Sequence, residues 1–196
     1  MMRNFARLLM LAVSLLPCTG TVLGAAAANP NLLKNGGFEE RSAAPWGTGL
    51  YSGQGSIWWN SGNCKSQARL DEATKKSGLV SLYIYNPTPK NPNVYGTTAQ
   101  RVTIRPNQLY RLTLWAKGNR IATPGAVSIV VDSEWKIRPI QLPARTFSWK
   151  KFESVFSLPA QYVDIRILSE DKGEVWLDDM SLVALDDYLF SQPRQK

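Results

Sequence analysis

Leu79-Val80-Ser81-Leu82-Tyr83-Ile84-Tyr85 alternates: Val80, Leu82 and Ile84 share one parity, and Ser81, Tyr83 and Tyr85 take the other. A period of two belongs to a strand that buries one of its faces. The pattern returns in Leu109–Lys117, where Tyr110, Leu112, Leu114 and Ala116 oppose Arg111, Thr113, Trp115 and Lys117. It returns again in Tyr162–Leu168, where Val163, Ile165 and Ile167 oppose Asp164 and Arg166. Val127, Ile129 and Val131 mark a further strand, and Trp176–Val183 closes the series. Turn residues fall between the runs, at Asn86-Pro87, Asn91-Pro92, Arg105-Pro106-Asn107, Thr123-Pro124-Gly125 and Asp171-Lys172-Gly173. No segment sustains a helical period. Many strands with closely spaced turns predict an all-β fold, an antiparallel β-sandwich or jelly roll.

Composition agrees with this reading. The chain has 196 residues, 44% hydrophobic and 19% charged, which is the balance of a folded domain and not of a disordered one. Its 14 glycines, 12 prolines and 7 tryptophans suit a turn-rich β domain. The length predicts one domain. There is no histidine. That zero removes His-based triads, His-ligated zinc and His proton shuttles.

Arg3 and Arg7 precede the apolar run Leu8–Leu16, and small residues gather at Gly24-Ala25-Ala26-Ala27-Ala28. This order predicts a secretory signal peptide over 1–28, and a secreted, periplasmic or cell-surface location after cleavage. The apolar run is too short to span a bilayer. Pro17 directly before Cys18 argues against acylation of that cysteine. Two arginines leave with the leader, so the charge of +8 falls by two, and Cys64 is the cysteine that remains. No internal disulfide is therefore expected. The folded domain is expected over 29–185, with a polar tail at 186–196.

Several motifs, in order, resemble a known family. Asn35-Gly36-Gly37-Phe38-Glu39 opens the domain, and Lys76-Ser77-Gly78-Leu79-Val80-Ser81-Leu82 follows. Then come Gln100–Tyr110, Leu114-Trp115-Ala116-Lys117, Trp149-Lys150-Lys151-Phe152 and the closing Trp176-Leu177-Asp178-Asp179-Met180-Ser181-Leu182. Together they resemble carbohydrate-binding modules of families four, nine and twenty-two, over about residues 31–184. The resemblance implies a galactose-binding-like jelly roll, which the strand pattern predicts without it.

The resemblance also implies a structural calcium in many members, with Glu39 and Asp178 matching its acidic ligands. Calcium takes six to eight hard oxygens, and backbone carbonyls serve beside carboxylates. If the first and last strands are neighbours, the two carboxylates meet and their repulsion calls for a proton or a cation. Solvated charges at strand ends are the alternative. Such an ion would stabilise the native state and take no part in catalysis.

A sugar ring has an apolar C–H face that a flat aromatic covers, while polar side chains meet its hydroxyls. Trp58 and Trp59 lie in Gly55–Gly62, Tyr95 follows Asn91-Pro92-Asn93, and Trp135 follows Asp132. Tyr51 falls where related modules carry a ligand aromatic. These five are the candidate carbohydrate-binding residues, and a hydrophobic loop plug is the alternative for each. Tyr110 lies on a core parity, and the resemblance implies that Trp46, Trp149, Phe152 and Phe156 also pack in the interior, so these five are assigned to the core. Trp115 stands outward beside Arg111 and Lys117, as a platform or as a cation-supported surface ring. Gln100 shares parity with Val102 and Ile104, which favours a buried amide bonded to backbone. Arg101, Arg111 and Arg166 would form a positive face for acidic sugars if their strands shared one sheet.

The expected function is a secreted, non-catalytic protein that holds a polysaccharide or oligosaccharide by stacking and hydrogen bonds. Its expected cofactor is calcium, and a separate glycan-active enzyme is a candidate partner. One alternative is a small jelly-roll glycoside hydrolase or polysaccharide lyase, using carboxylates among Asp132, Glu134, Glu153 and Asp164. Another is a surface adhesion or assembly protein. Nucleic acid is not expected, because no Lys/Arg stripe interleaved with aromatics appears.

Overall fold

In the computed structural model, residues 29–40, 45–47 and 57–185 are described. The expected leader 1–28, Tyr51 and the tail 186–196 lie outside them. The strands are β1 Trp59–Ser61, β2 Gln67–Asp71, β3 Ser81–Asn86, β4 Tyr95–Thr103 and β5 Tyr110–Asn119. They continue as β6 Val127–Val130, β7 Ile140–Gln141, β8 Phe147–Phe156, β9 Tyr162–Ser169 and β10 Gly173–Ala184. All pair antiparallel. They form two five-stranded sheets, ordered β1-β4-β9-β6-β7 and β2-β3-β10-β5-β8. The sandwich expected from the alternation is the fold.

Parity decides the core. Leu82 and Ile84 of β3, the Tyr110, Leu112, Leu114 and Ala116 row of β5, and Val163, Ile165 and Ile167 of β9 are all buried. They meet Val127, Ile129, Val175, Leu177 and Leu182 between the sheets. Across β10 the register shifts between Asp178 and Ser181, and Asp179 takes φ 48°. The bulge resets the alternation, so Met180 and Leu182 still point inward.

The segment before β1 straps the sandwich. Leu32 N–H donates to the Leu182 carbonyl at 2.8 Å, and Met180 N–H donates to the Gly36 carbonyl at 2.9 Å. A Cβ on Gly36 would stand 2.0 Å from the Met180 carbonyl oxygen, so only glycine permits this approach. Gln100 clips the strap from the other sheet: its Oε1 accepts from Lys34 N–H and its Nε2 donates to the Lys34 carbonyl, both at 2.8 Å. The buried amide expected of Gln100 is what the structure contains.

Of the residues assigned to the core, Trp46, Tyr110 and Phe156 are buried, and Phe152 packs against the cluster. Trp149 is a correction. It alternates with Lys150 and Phe152 along β8, shares its parity with Lys151 and Glu153, and is only half-buried.

Candidate functional site

The outer face of the first sheet brings three of the expected aromatics together. Trp59 on β1 opposes Thr97 on β4, and Ser61 opposes Tyr95. Trp59 and Tyr95 therefore share a face, with ring centroids 5.8 Å apart. Trp135 comes from the loop between β6 and β7, and its ring lies 4.9 Å from that of Tyr95. Three separate stretches of chain thus supply one run of half-buried rings.

The loop that carries Trp135 is built around Asp132. Its carboxylate accepts the N–H of Ile137 at 2.7 Å and of Lys136 at 3.1 Å, and Val131 N–H donates to the Ile137 carbonyl. Burial raises the Asp132 carboxyl, but those backbone donors outweigh it and hold it below the ordinary aspartate value. The turn places Trp135 at φ 62°, a left-handed conformation that a bulky side chain rarely takes. Such strain persists where surrounding bonds over-determine it, and it gathers at functional sites.

Beneath the rings lies a charged floor. Ala99 opposes Arg166 and Arg101 opposes Asp164, so all four belong to the strand faces below Tyr95. The Arg166 guanidinium lies 4.2 Å from the Trp135 ring centroid. Arg101 grips Asp164 with two bonds, of 2.8 and 2.9 Å, and covers the Tyr162 ring at 4.4 Å. Arg166 lies 3.7 Å from the same carboxylate. Arg138 pairs with Glu170 and reaches the Ser128 hydroxyl. Hydrogen bonds to Asp164 and to Glu170 hold Arg101 and Arg138 above the ordinary arginine value. Every one of these cations faces a carboxylate. The face offers flat apolar rings and fixed hydrogen-bonding groups, with three arginines held on two carboxylates.

Trp58 does not join the run. It is 9% exposed, belongs to the core cluster, and donates its indole N–H to Ser66 Oγ at 2.9 Å. Alternation along β1 turns it inward when Trp59 turns outward, so an exposed Trp58 is corrected to a core residue. The acidic-sugar face drawn from Arg101, Arg111 and Arg166 also fails as drawn. Arg111 stands on β5 of the other sheet, while the other two share Asp164.

The carboxylates considered for hydrolysis are scattered. Asp132 holds its loop, Asp164 answers two arginines, Glu134 pairs with exposed Lys136, and Glu153 lies between Arg111 and Lys151 on the second sheet.

Glu39 and Asp178 do meet, at the 76–80 turn. Asp178 Oδ2 accepts the N–H of Lys76 at 2.8 Å and Ser77 at 3.2 Å, and Glu39 Oε2 accepts that of Leu79 at 2.8 Å. Asp179 joins them through Ser77 Oγ at 2.7 Å. Burial pushes the Asp178 carboxyl up, and the neighbouring Asp179 charge adds to that, against three backbone donors. A Cβ on Gly37 would sit 3.8 Å from both Asp178 Oδ1 and Asp179 Oδ1, and 3.5 Å from Glu39 Cγ. The three acids thus stand around Gly37, and Glu39 also packs against Gly78. Among the described residues they do not form a ready three-carboxylate metal cage.

No protein-family model and no curated protein matches this chain. Several solved structures share its fold. One is a family 16 carbohydrate-binding module, with TM-score 0.55, 16% identity, and coverage of 78% of this chain and 99% of that one. Another is TmCBM61 in complex with beta-1,4-galactotriose, with TM-score 0.53, 15% identity, and coverage of 80% and 99%. A third is the enzymatically active domain of tailspike protein 4 of bacteriophage CBA120, with TM-score 0.53, 15% identity, and coverage of 79% of this chain but 21% of that one. The match spans about a fifth of the tailspike domain. The chain has the jelly-roll fold of carbohydrate-binding modules.

Proposed function

We propose that this protein is a non-catalytic binder of a neutral polysaccharide or oligosaccharide, held on the outer face of the first sheet by Trp59, Tyr95 and Trp135. The observation that carries this reading is the meeting of those three rings from β1, β4 and the β6–β7 loop. Covering about 60 Å² of apolar area contributes about 1.5 kcal/mol per ring, so two or three rings support weak binding after the association cost. Neutral sugars suit the site because each of Arg101, Arg138 and Arg166 is already engaged, two of them sharing Asp164 and the third on Glu170, so none stands clear of a carboxylate to meet a uronate. The galactotriose bound to TmCBM61 supports this ligand class by likeness of fold. Export by the 1–28 leader would place the module where such glycans occur.

The experiment is calorimetric titration of neutral oligosaccharides, galactotriose included, against the wild type and Trp135→Ala. Binding lost in the variant supports the reading. A wild type silent across the panel, or one that hydrolyses it, overturns the reading.

We also propose calcium among the acids that stand around Gly37. Glu39, Asp178 and Asp179 crowd together there with no ion-paired lysine or arginine among the described residues, and Lys76 turns its ammonium to the Trp115 ring. The N–H donors of the 76–80 turn satisfy part of this charge, so the ion would rest on the remaining carboxylate oxygens and on carbonyls. Its contribution would be to tie the N-terminal strap to β10.

A further inference from the structure

The outward face of the second sheet carries its own aromatic row. Arg69, Tyr83, Trp176 and Lys117 stand directly opposite one another across β2, β3, β10 and β5. Arg69 lies 4.6 Å over the Tyr83 ring, Tyr83 is 4.9 Å from Trp176, and Lys117 Nζ is 4.8 Å from the Trp176 ring. The polar ends are bonded. Tyr83 donates its hydroxyl to Glu174 at 3.0 Å, and the Trp176 indole N–H donates to Asp71 at 2.7 Å. Burial and the Glu174 bond push the Tyr83 phenol up to about 12.

At the Lys117 end the row opens into a groove of about 480 Å³, lined by Lys117, Gly118, Asn119, Thr146, Phe147 and Ser148, with Trp176 as one wall. The register of β5 against β8 shifts between Ala116 and Gly118. A Cβ on Gly118 would fall 2.4 Å from the Phe147 ring, so the bulge and the glycine together let Phe147 lie against the strand and form the groove side. The groove therefore has two aromatic walls and a polar rim from Asn119, Thr146 and Ser148.

Its charge differs from that of the first face. Lys117 has no carboxylate within 4.0 Å among the described residues, and its ammonium rests on an indole. Glu174 borders the row as an anion, bonded to Tyr83 and to Asn119 at 3.1 Å, but it does not line the groove and makes no ion pair with Lys117. A cation resting on a ring keeps its charge for an arriving anion.

We infer that the groove between Trp176 and Phe147 is a second saccharide site, specific for an acidic sugar whose carboxylate meets Lys117. The sugar ring would lie between the apolar walls, with its hydroxyls at Asn119, Thr146 and Ser148. This site shares no residue with the Trp59–Tyr95–Trp135 run and faces away from it on the opposite sheet. It therefore goes beyond the function proposed above: the module would hold a neutral and an acidic glycan at once.

The test is calorimetric titration of the full chain with trigalacturonate and with its methyl ester. The free acid is expected to bind about tenfold or more tightly than the ester, the difference made by one charge-assisted contact. Lys117→Glu is expected to remove binding of the acid, and Lys117→Arg to keep it. Ser148→Trp fills the groove from an exposed position and serves as the second variant. Galactotriose titrated against the same variants checks their folding and the first site independently. A wild type that ignores trigalacturonate, or one whose binding survives both Lys117→Glu and Ser148→Trp, overturns the inference. Loss of acid binding in Trp135→Ala moves it to the first face and overturns it equally. Neutral-glycan binding that fails in the wild type sinks only the first reading.

Discussion

Trp135 lies over the guanidinium of Arg166, with Cζ 4.2 Å from the ring centroid, although one residue is in a loop and the other on β9. The contact pins the β6–β7 loop onto the sheet and holds the indole beside Tyr95. Desolvated pairs of this kind contribute about 1–2 kcal/mol.

Trp135→Ala is expected to weaken neutral-glycan binding by about tenfold, matching the loss of one stacked ring. Trp135→Gly should lose affinity equally but melt at or above the alanine variant, because glycine takes φ 62° without strain. Calorimetry and a thermal melt measure both. A glycine variant that melts well below the alanine one would show that the loop is not strained.

Trp58→Phe removes the bond to Ser66 and is expected to destabilise the fold by about 1–2 kcal/mol in urea titration, with glycan affinity unchanged. Affinity falling in proportion with that of Trp135→Ala would place Trp58 at the ligand after all.

Gly36→Ala drives a Cβ to 2.0 Å from a backbone carbonyl that cannot move aside. A loss of about 3 kcal/mol or more is expected in denaturant titration. Tolerance of the substitution would mean the strap is looser than the hydrogen bonds to Met180 and Leu182 require.

Acid should unfold the domain through Asp71, Asp132 and Asp171. Burial opposes ionisation of Asp171, but N–H donors from Lys172 and Lys90 and the Thr123 hydroxyl prevail and hold its carboxyl below 3.8. A lowered folded value gives stability that is present above 3.8 and lost as pH falls through the folded value. Asp171→Asn should therefore flatten the acid limb of a melting-temperature profile. Asp178 has the opposite sign. Its raised carboxyl disfavours folding as pH climbs from 3.8 through its folded value, and a bound cation would remove that penalty.

Calcium at 100 times its dissociation constant is expected to stabilise by about 2.7 kcal/mol, seen as a higher melting midpoint that chelator reverses. Glu39→Gln should abolish the response. A midpoint indifferent to calcium and chelator removes the ion from the account.

The strands were legible because alternation reports burial directly. Leu112 and Leu114, or Ile165 and Ile167, could face nowhere but inward. Parity does not say which sheet a strand joins, however. The alternation that exposes Trp59 buries Trp58, and only pairing with Thr97 settles which of the two faces out. Trp149 is assigned inward by resemblance alone, and the register shift between Ala116 and Gly118 opposite it takes it out of the inward row. Parity alone also cannot foresee a strand covered on both faces. Arg166, outward by alternation, is 8% exposed because the Trp135 loop folds back over it. The Asp164 and Glu170 partners that engage the three arginines come from register, and no local motif announces them.

Asn29 donates its side-chain amide to the Ala184 carbonyl at 2.8 Å, so the two boundaries of the described domain are stitched to each other. A peptide leaving at one boundary departs beside a peptide leaving at the other. The sandwich therefore behaves as a pendant bead. Ends this close are suited to grafting into a host loop, and new ends cut elsewhere with the old ones spliced are expected to preserve both sheets.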